Sequence, residues 1–215
     1  MAEIRYIAVE GPIGVGKSSL AQMLAKDTNA RLILEEAKEN PFLGSFYENP
    51  DQFAFQAQIY FLLSRYRQQM ELKQQDLFKQ ATVCDYLFAK DALFAAMNLT
   101  DEEMDLYNKI YGLLDAQLPK PDLVVFLQAS PSVLMNRIKK RRASCERGIQ
   151  EEYIERLSQA YSQFFFQYTT TPVLVVNASG FDFIESEADY EMLKKEMLNL
   201  WKSGKEKHYV TIDSR

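Results

Sequence analysis

The stretch Glu10-Gly11-Pro12-Ile13-Gly14-Val15-Gly16-Lys17-Ser18 matches the pattern G-x-x-x-x-G-K-[ST]. An apolar run at 4–9 leads into it and a segment with helical spacing at 17–27 leads out, which is the strand-to-helix context the pattern requires. The residue types follow from the chemistry of phosphate. Gly11, Gly14 and Gly16 let main-chain N–H groups turn inward around anionic oxygens, and the helix that follows presents the positive end of its dipole. Lys17 offers a point charge to the β and γ phosphates, and the Ser18 hydroxyl is a ligand for Mg²⁺. Residues 11–19, with Pro12, Ile13, Val15 and Ser19 completing the loop, are therefore expected to bind a nucleoside triphosphate.

Further apolar, β-branched-rich runs lie at 31–34, 82–84, 123–127 and 173–176. Like the run at 4–9 they are nearly continuous in apolar character, as strands covered on both faces of a parallel sheet read. Helical spacing recurs between them, at 53–73, 101–118 and 130–141. Thr100-Asp101-Glu102-Glu103 has the pattern of a capping box, and Pro131 sits where a first helical turn tolerates proline. Strands separated by helices predict an α/β doubly wound fold of five parallel strands. No repeat or linker divides the chain, so one domain is expected over 1–202, with a polar tail at 203–215.

The chain has 215 residues, and 25 basic against 30 acidic side chains give a formal net charge of −5. A domain of this size buries roughly 70–75% of the surface its unfolded chain exposes, enough for a core without staples. Cys84 and Cys145 form no CxxC or Cys/His pattern, which argues against a disulfide framework or a cysteine zinc site and for a reducing compartment. The single histidine, His208, argues against a histidine-dependent triad. No apolar run approaches the ~18 residues of a membrane span and no secretory signal is visible, so a cytoplasmic protein without a membrane partner is expected. The acidic balance argues against a nucleic-acid partner. One segment dissents, since 137–147 holds Arg137, Lys139, Lys140, Arg141, Arg142 and Arg147 against Glu146 alone.

A GTPase would carry N-K-x-D and D-x-x-G signals, and Asn108-Lys109-Ile110-Tyr111 lacks the aspartate. A basic segment after the fourth strand and its helix suits a small kinase, in which arginines close over the donor phosphates and offset transition-state charge. The residues then become recognisable. From position 4 to about 177 the chain resembles the deoxynucleoside kinase family, in particular the short bacterial deoxyadenosine and deoxyguanosine kinases. Besides the phosphate loop, the resemblance rests on Glu35, on Phe46-Tyr47-Glu48-Asn49-Pro50 leading to Gln58 and Arg65, on Asp85 to Asp91, and on Arg137-x-x-x-Arg141 with Glu146-Arg147-Gly148-Ile149 and Tyr153.

The resemblance implies a five-stranded P-loop kinase fold, a homodimer, Mg²⁺, and transfer of the γ-phosphoryl of ATP or another triphosphate to a deoxynucleoside 5′-hydroxyl in nucleotide salvage. Glu35 matches the family's catalytic glutamate, with Glu36 where a proline is usual. Tyr47 and Glu146 match the pair that binds the deoxyribose 3′-hydroxyl, and Gln58 matches the glutamine that meets the base edge. Arg65 and Asp91 match a pair beside the base that favours deoxyadenosine, deoxyguanosine or deoxycytidine over thymidine. Phe55 and Phe94 are stacking candidates. Asp85, after the third strand, is expected near the substrate and the metal, which Ser18 would share. Arg137 and Arg141 match catalytic lid arginines, with Arg142 as a further phosphate ligand. Two departures stand out: Tyr86 replaces an arginine, leaving Lys90 or a lid arginine to supply its charge, and Ala143 replaces a third lid arginine. The rival readings are a nucleoside monophosphate kinase, thymidylate-like, and a regulatory P-loop module that binds nucleotide without transfer.

Overall fold

Four strands are buried along almost their whole length, as runs of β-branched and aliphatic residues without polar alternation require. The computed structural model describes residues 4–75, 81–141, 143, 146, 148–204 and 206–210. Strand β1 (Tyr6–Glu10) enters helix α1 (Lys17–Thr28), and β2 (Arg31–Ile33) is followed by a short 3-10 turn, Ala37–Glu39. Helices α2 (Leu43–Glu48) and α3 (Pro50–Gln75) lead to β3 (Thr82–Cys84), and α4 (Lys90–Asn98) and α5 (Asp101–Asp115) to β4 (Leu123–Gln128). Then come α6 (Pro131–Arg141), α7 (Glu151–Gln167), β5 (Val173–Asn177), α8 (Glu187–Ser203) and β6 (Lys207–Val210).

The sheet is parallel throughout, in the order β2-β3-β1-β4-β5-β6. The five predicted strands are present, and a sixth lies within the stretch read as a polar tail. There Val173 to Val176 pair with residues 207–210. An edge strand is held by main-chain hydrogen bonds, and polar composition does not forbid these, so the reading by apolar content passed it over. Helix α1 packs Leu20, Ala21, Leu24 and Ala25 inward. Helix α7 does the same with Ile154, Leu157, Tyr161 and Phe165, and the Phe165 ring lies 4.1 Å from that of Phe126 on β4. Helices α2, α4, α7 and α8 add to the predicted set; α4 escapes a periodicity search because its first turn buries Lys90 and Asp91.

Chain order places β1 between β3 and β4, so the crossover reverses there and opens a crevice beyond the carboxyl ends of the central strands. The phosphate loop after β1, Glu35 after β2 and Asp85 after β3 all emerge at that end. Among the described residues no helix is long and apolar enough to cross a membrane.

Candidate active site

A cleft of about 930 Å³ occupies this crevice, with Gly14, Gly16, Lys17, Ser18 and Ser19 at one end and Gln58, Phe61 and Arg65 at the other. Ile13 also lines it, whereas Gly11, Pro12 and Val15 are not among its lining residues and form the back of the loop. Gly11 has φ +151°, and a Cβ there would lie 2.2 Å from the Leu127 carbonyl oxygen of β4; only glycine fits. Lys17 Nζ donates to the carbonyl oxygens of Gly11 at 2.7 Å and Pro12 at 3.2 Å. Burial, then the charge of Lys90, lowers its pKa from the ordinary ammonium value.

Asp85 ties the phosphate loop to the segment that follows β2. Its Oδ2 accepts from the Ser18 hydroxyl at 2.5 Å and its Oδ1 from the Glu35 main-chain N–H at 2.6 Å. A hydroxyl and a carboxylate oxygen are the hard donors that Mg²⁺ takes from protein when phosphates and water supply the rest, so this pair fits that ion. Among the described residues no group of three or more His, Cys, Asp or Glu is placed to hold a metal by itself.

Glu35 stands on the cleft wall. Its Oε1 accepts from Arg65 Nε at 2.8 Å and also from Nη2, and Lys90 Nζ lies 3.3 Å from Oε2. Burial alone would raise its pKa, but the charges of Arg65, Lys90 and Lys17 outweigh it and hold the carboxyl well below the usual range. Arg65 reaches Asp91 with Nη1, and its guanidinium carbon lies 4.7 Å from the Phe61 ring centroid. Asp91 is fully buried and is not among the residues that line the cleft. It accepts from Gln58 Nε2 and from the Tyr107 hydroxyl at 2.8 Å, and thus fixes Gln58 and Arg65 from behind. Burial pushes its carboxyl up, against the pull of Arg65, Tyr107 and Gln58.

Phe94 lines the cleft but Phe55 does not. At 100° per residue, Ala54, Ala57, Gln58, Phe61 and Arg65 share one face of α3 and Phe55 lies about a quarter-turn away. Phe61 was missed, although its spacing of three from Gln58 and four from Arg65 could have found it. Tyr86 is buried and its hydroxyl donates to the Arg65 carbonyl oxygen at 3.4 Å, so it is a packing residue of the sheet.

In the lid, Arg141 pairs with Glu146, and both line the cleft with Tyr47 and Ala143. Gly148 brings the lid against α2, for a Cβ there would lie 3.1 Å from the Tyr47 carbonyl oxygen. Arg137 is not a lining residue. Its guanidinium donates to the carbonyl oxygens of Val15 and Ala178, each at 3.1 Å, and ties the phosphate loop to the end of β5. Arg142 and Arg147 lie outside the described residues.

The deoxynucleoside kinase family model matches residues 7–202. A deoxyguanosine kinase of Bacillus subtilis is 35% identical over 87% of this chain and 93% of its own length. A deoxyadenosine kinase of Dictyostelium discoideum is 34% identical over 89% of this chain and 78% of its own. The structure of the M. mycoides deoxyadenosine kinase with bound dATP superposes with a TM-score of 0.77 at 26% identity, covering 91% of this chain and 99% of that one.

Proposed function

Because the chain belongs to the deoxynucleoside kinase family, and is a transferase of that kind, we propose that it moves the γ-phosphoryl group of ATP, or of another nucleoside triphosphate, to the 5′-hydroxyl of a purine deoxynucleoside. The observation that carries the reading is one cleft holding a phosphate loop at one end and Glu35, Arg65 and Gln58 at the other. The relatives with deoxyguanosine and deoxyadenosine in their names support a purine. A deoxyadenosine/deoxycytidine kinase of Bacillus subtilis, 29% identical, keeps deoxycytidine within the panel to be tested.

In this reading the γ-phosphorus forms a bond to the nucleoside 5′-oxygen as its bond to the β–γ bridging oxygen breaks. The hydroxyl proton goes to Glu35 and the nucleoside diphosphate leaves. A carboxyl held this acidic is a weak base, which suits a loose transition state in which the proton departs late. The loop N–H groups and Lys17 bind the donor phosphates, and Arg141 lines the same cleft. When bound at Ser18 and Asp85, Mg²⁺ supplies further neutralisation of the phosphate oxygens. Tyr47 and Glu146 address the 3′-hydroxyl. Gln58 donates its amide N–H to Asp91, which leaves its carbonyl oxygen as the acceptor for a base N–H.

A salvage role, a cytoplasmic location, a homodimer, and independence from nucleic acid and membranes belong to the same proposal, on the family likeness. Nucleoside diphosphate formation from ATP, followed across deoxynucleosides, ribonucleosides and monophosphates, tests it. Turnover is expected with deoxyguanosine or deoxyadenosine; turnover with monophosphates alone, or with none of the panel, overturns it.

A further inference from the structure

Lys90 occupies a place where elementary energetics disfavour a lysine. It is the first residue of α4, where the helix dipole presents its positive end, and its side chain is only 3% exposed. Two carboxylates offset that cost. Nζ lies 3.2 Å from Glu35 Oε1 and 3.3 Å from Oε2, and 3.6 Å from Oε2 of Glu10, whose side chain is fully buried. Tyr86 contributes its ring, 6.0 Å away, and Lys17 is the neighbouring like charge. Lys90 is not among the cleft-lining residues, so it stands behind Glu35 instead of beside a bound ligand.

Glu10 in turn braces the phosphate loop. Its Oε1 accepts from the Gly11 N–H at 2.8 Å and the Tyr161 hydroxyl at 3.0 Å, and its Oε2 from the Leu87 N–H at 2.8 Å. The Gly11 carbonyl oxygen receives Lys17 Nζ. A continuous path, Glu35 to Lys90 to Glu10 to Gly11 to Lys17, therefore joins the acceptor wall to the phosphate-binding lysine.

We propose that Lys90 is a positioning residue that, through Glu10, holds the Glu35 carboxylate and the phosphate loop in one register for transfer. The proposal rests on Glu35 as the proton acceptor. Its function is geometric: nucleoside and triphosphate are each gripped by other side chains, and Lys90 sets the relation between them. Losing it therefore lowers the rate of transfer far more than the affinity for either substrate.

The test measures kcat and KM for ATP and for deoxyguanosine and deoxyadenosine in the full chain carrying Lys90→Met, Lys90→Arg, Glu10→Gln, Lys90→Met with Glu10→Gln, and Glu35→Gln. Lys90→Met is expected to lower kcat about 10²-fold, the cost of a misplacement near 1 Å, with both KM values within about threefold of wild type. Lys90→Arg restores most of the loss, and the double variant is no slower than Lys90→Met because both changes cut one path. Should Lys90→Met fail to fold, Glu10→Gln and Lys90→Arg decide. Unchanged kcat in Lys90→Met or Glu10→Gln, while Glu35→Gln is slow, overturns this proposal alone, as do effects of the two changes that multiply. Unchanged kcat in Glu35→Gln overturns the proton-acceptor role and this proposal with it.

Discussion

Asp91 is a residue whose role is set by what surrounds it. The family likeness puts it beside the base, yet the structure buries it completely and gives its oxygens to Gln58, Arg65 and Tyr107. Asp91→Ala takes the acceptor from the buried Tyr107 hydroxyl and from one Gln58 amide bond while Glu35 still pairs Arg65, so it is expected to cost about 1–3 kcal/mol, read by urea unfolding. Asp91→Asn keeps the volume but loosens the grip on both partners. Its deoxynucleoside KM should rise about tenfold or more, with the KM for ATP unchanged in initial-rate measurements, because the donor end of the cleft does not touch it. An equal rise in both would show that Asp91 holds up the whole cleft and not only the acceptor end. Gln58 was singled out by its match to the family's motif, and it lines the cleft with Arg65. That Asp91 stands behind the pair was not legible in the sequence, since it depends on how α4 packs against α3.

At the scale of the element, local rules hold wherever neighbouring residues satisfy one another. The start of α5 is such a place. Thr100 Oγ1 accepts from the Glu103 N–H at 3.3 Å, and Glu103 Oε2 accepts from the Thr100 N–H at 3.0 Å. This box was readable from four consecutive residues. Thr100→Ala should cost about 1 kcal/mol in thermal unfolding and leave turnover untouched, for α5 adds no residue to the cleft wall. The lid shows the reverse. Its basic composition was plain, but Arg137 and Arg141, one turn apart, have different partners. One guanidinium is held by main-chain oxygens of the phosphate loop and the β5 end, the other by Glu146. A helix's phase against its neighbours decides this, as it decides that Phe61 and not Phe55 faces the cleft.

For the whole molecule, the sheet order separates the working half from a supporting edge. The cleft hangs on β1, β2 and β3, and β6 lies at the far side beyond β5. A chain ended after Gly204 loses β6 and the main-chain bonds that hold it, each worth about 1 kcal/mol net, so a loss of roughly 1–3 kcal/mol is expected. Turnover at a temperature where the shortened chain is folded should stay within about twofold of the full chain; a larger fall would mean that the edge strand reaches the site through α8 and β5. The sequence by itself determined the phosphate loop, five of the strands and the class of fold. Each of these is written in contiguous residues whose backbone and periodicity answer to local sterics and to burial on two faces. Only the tertiary structure decided that Glu10, Glu35, Arg65, Lys90 and Asp91 form one network. They come from four places in the chain, and it is the reversal of strand order beside β1, with the low-dielectric burial it creates, that brings opposite charges within reach and makes their pairing obligatory.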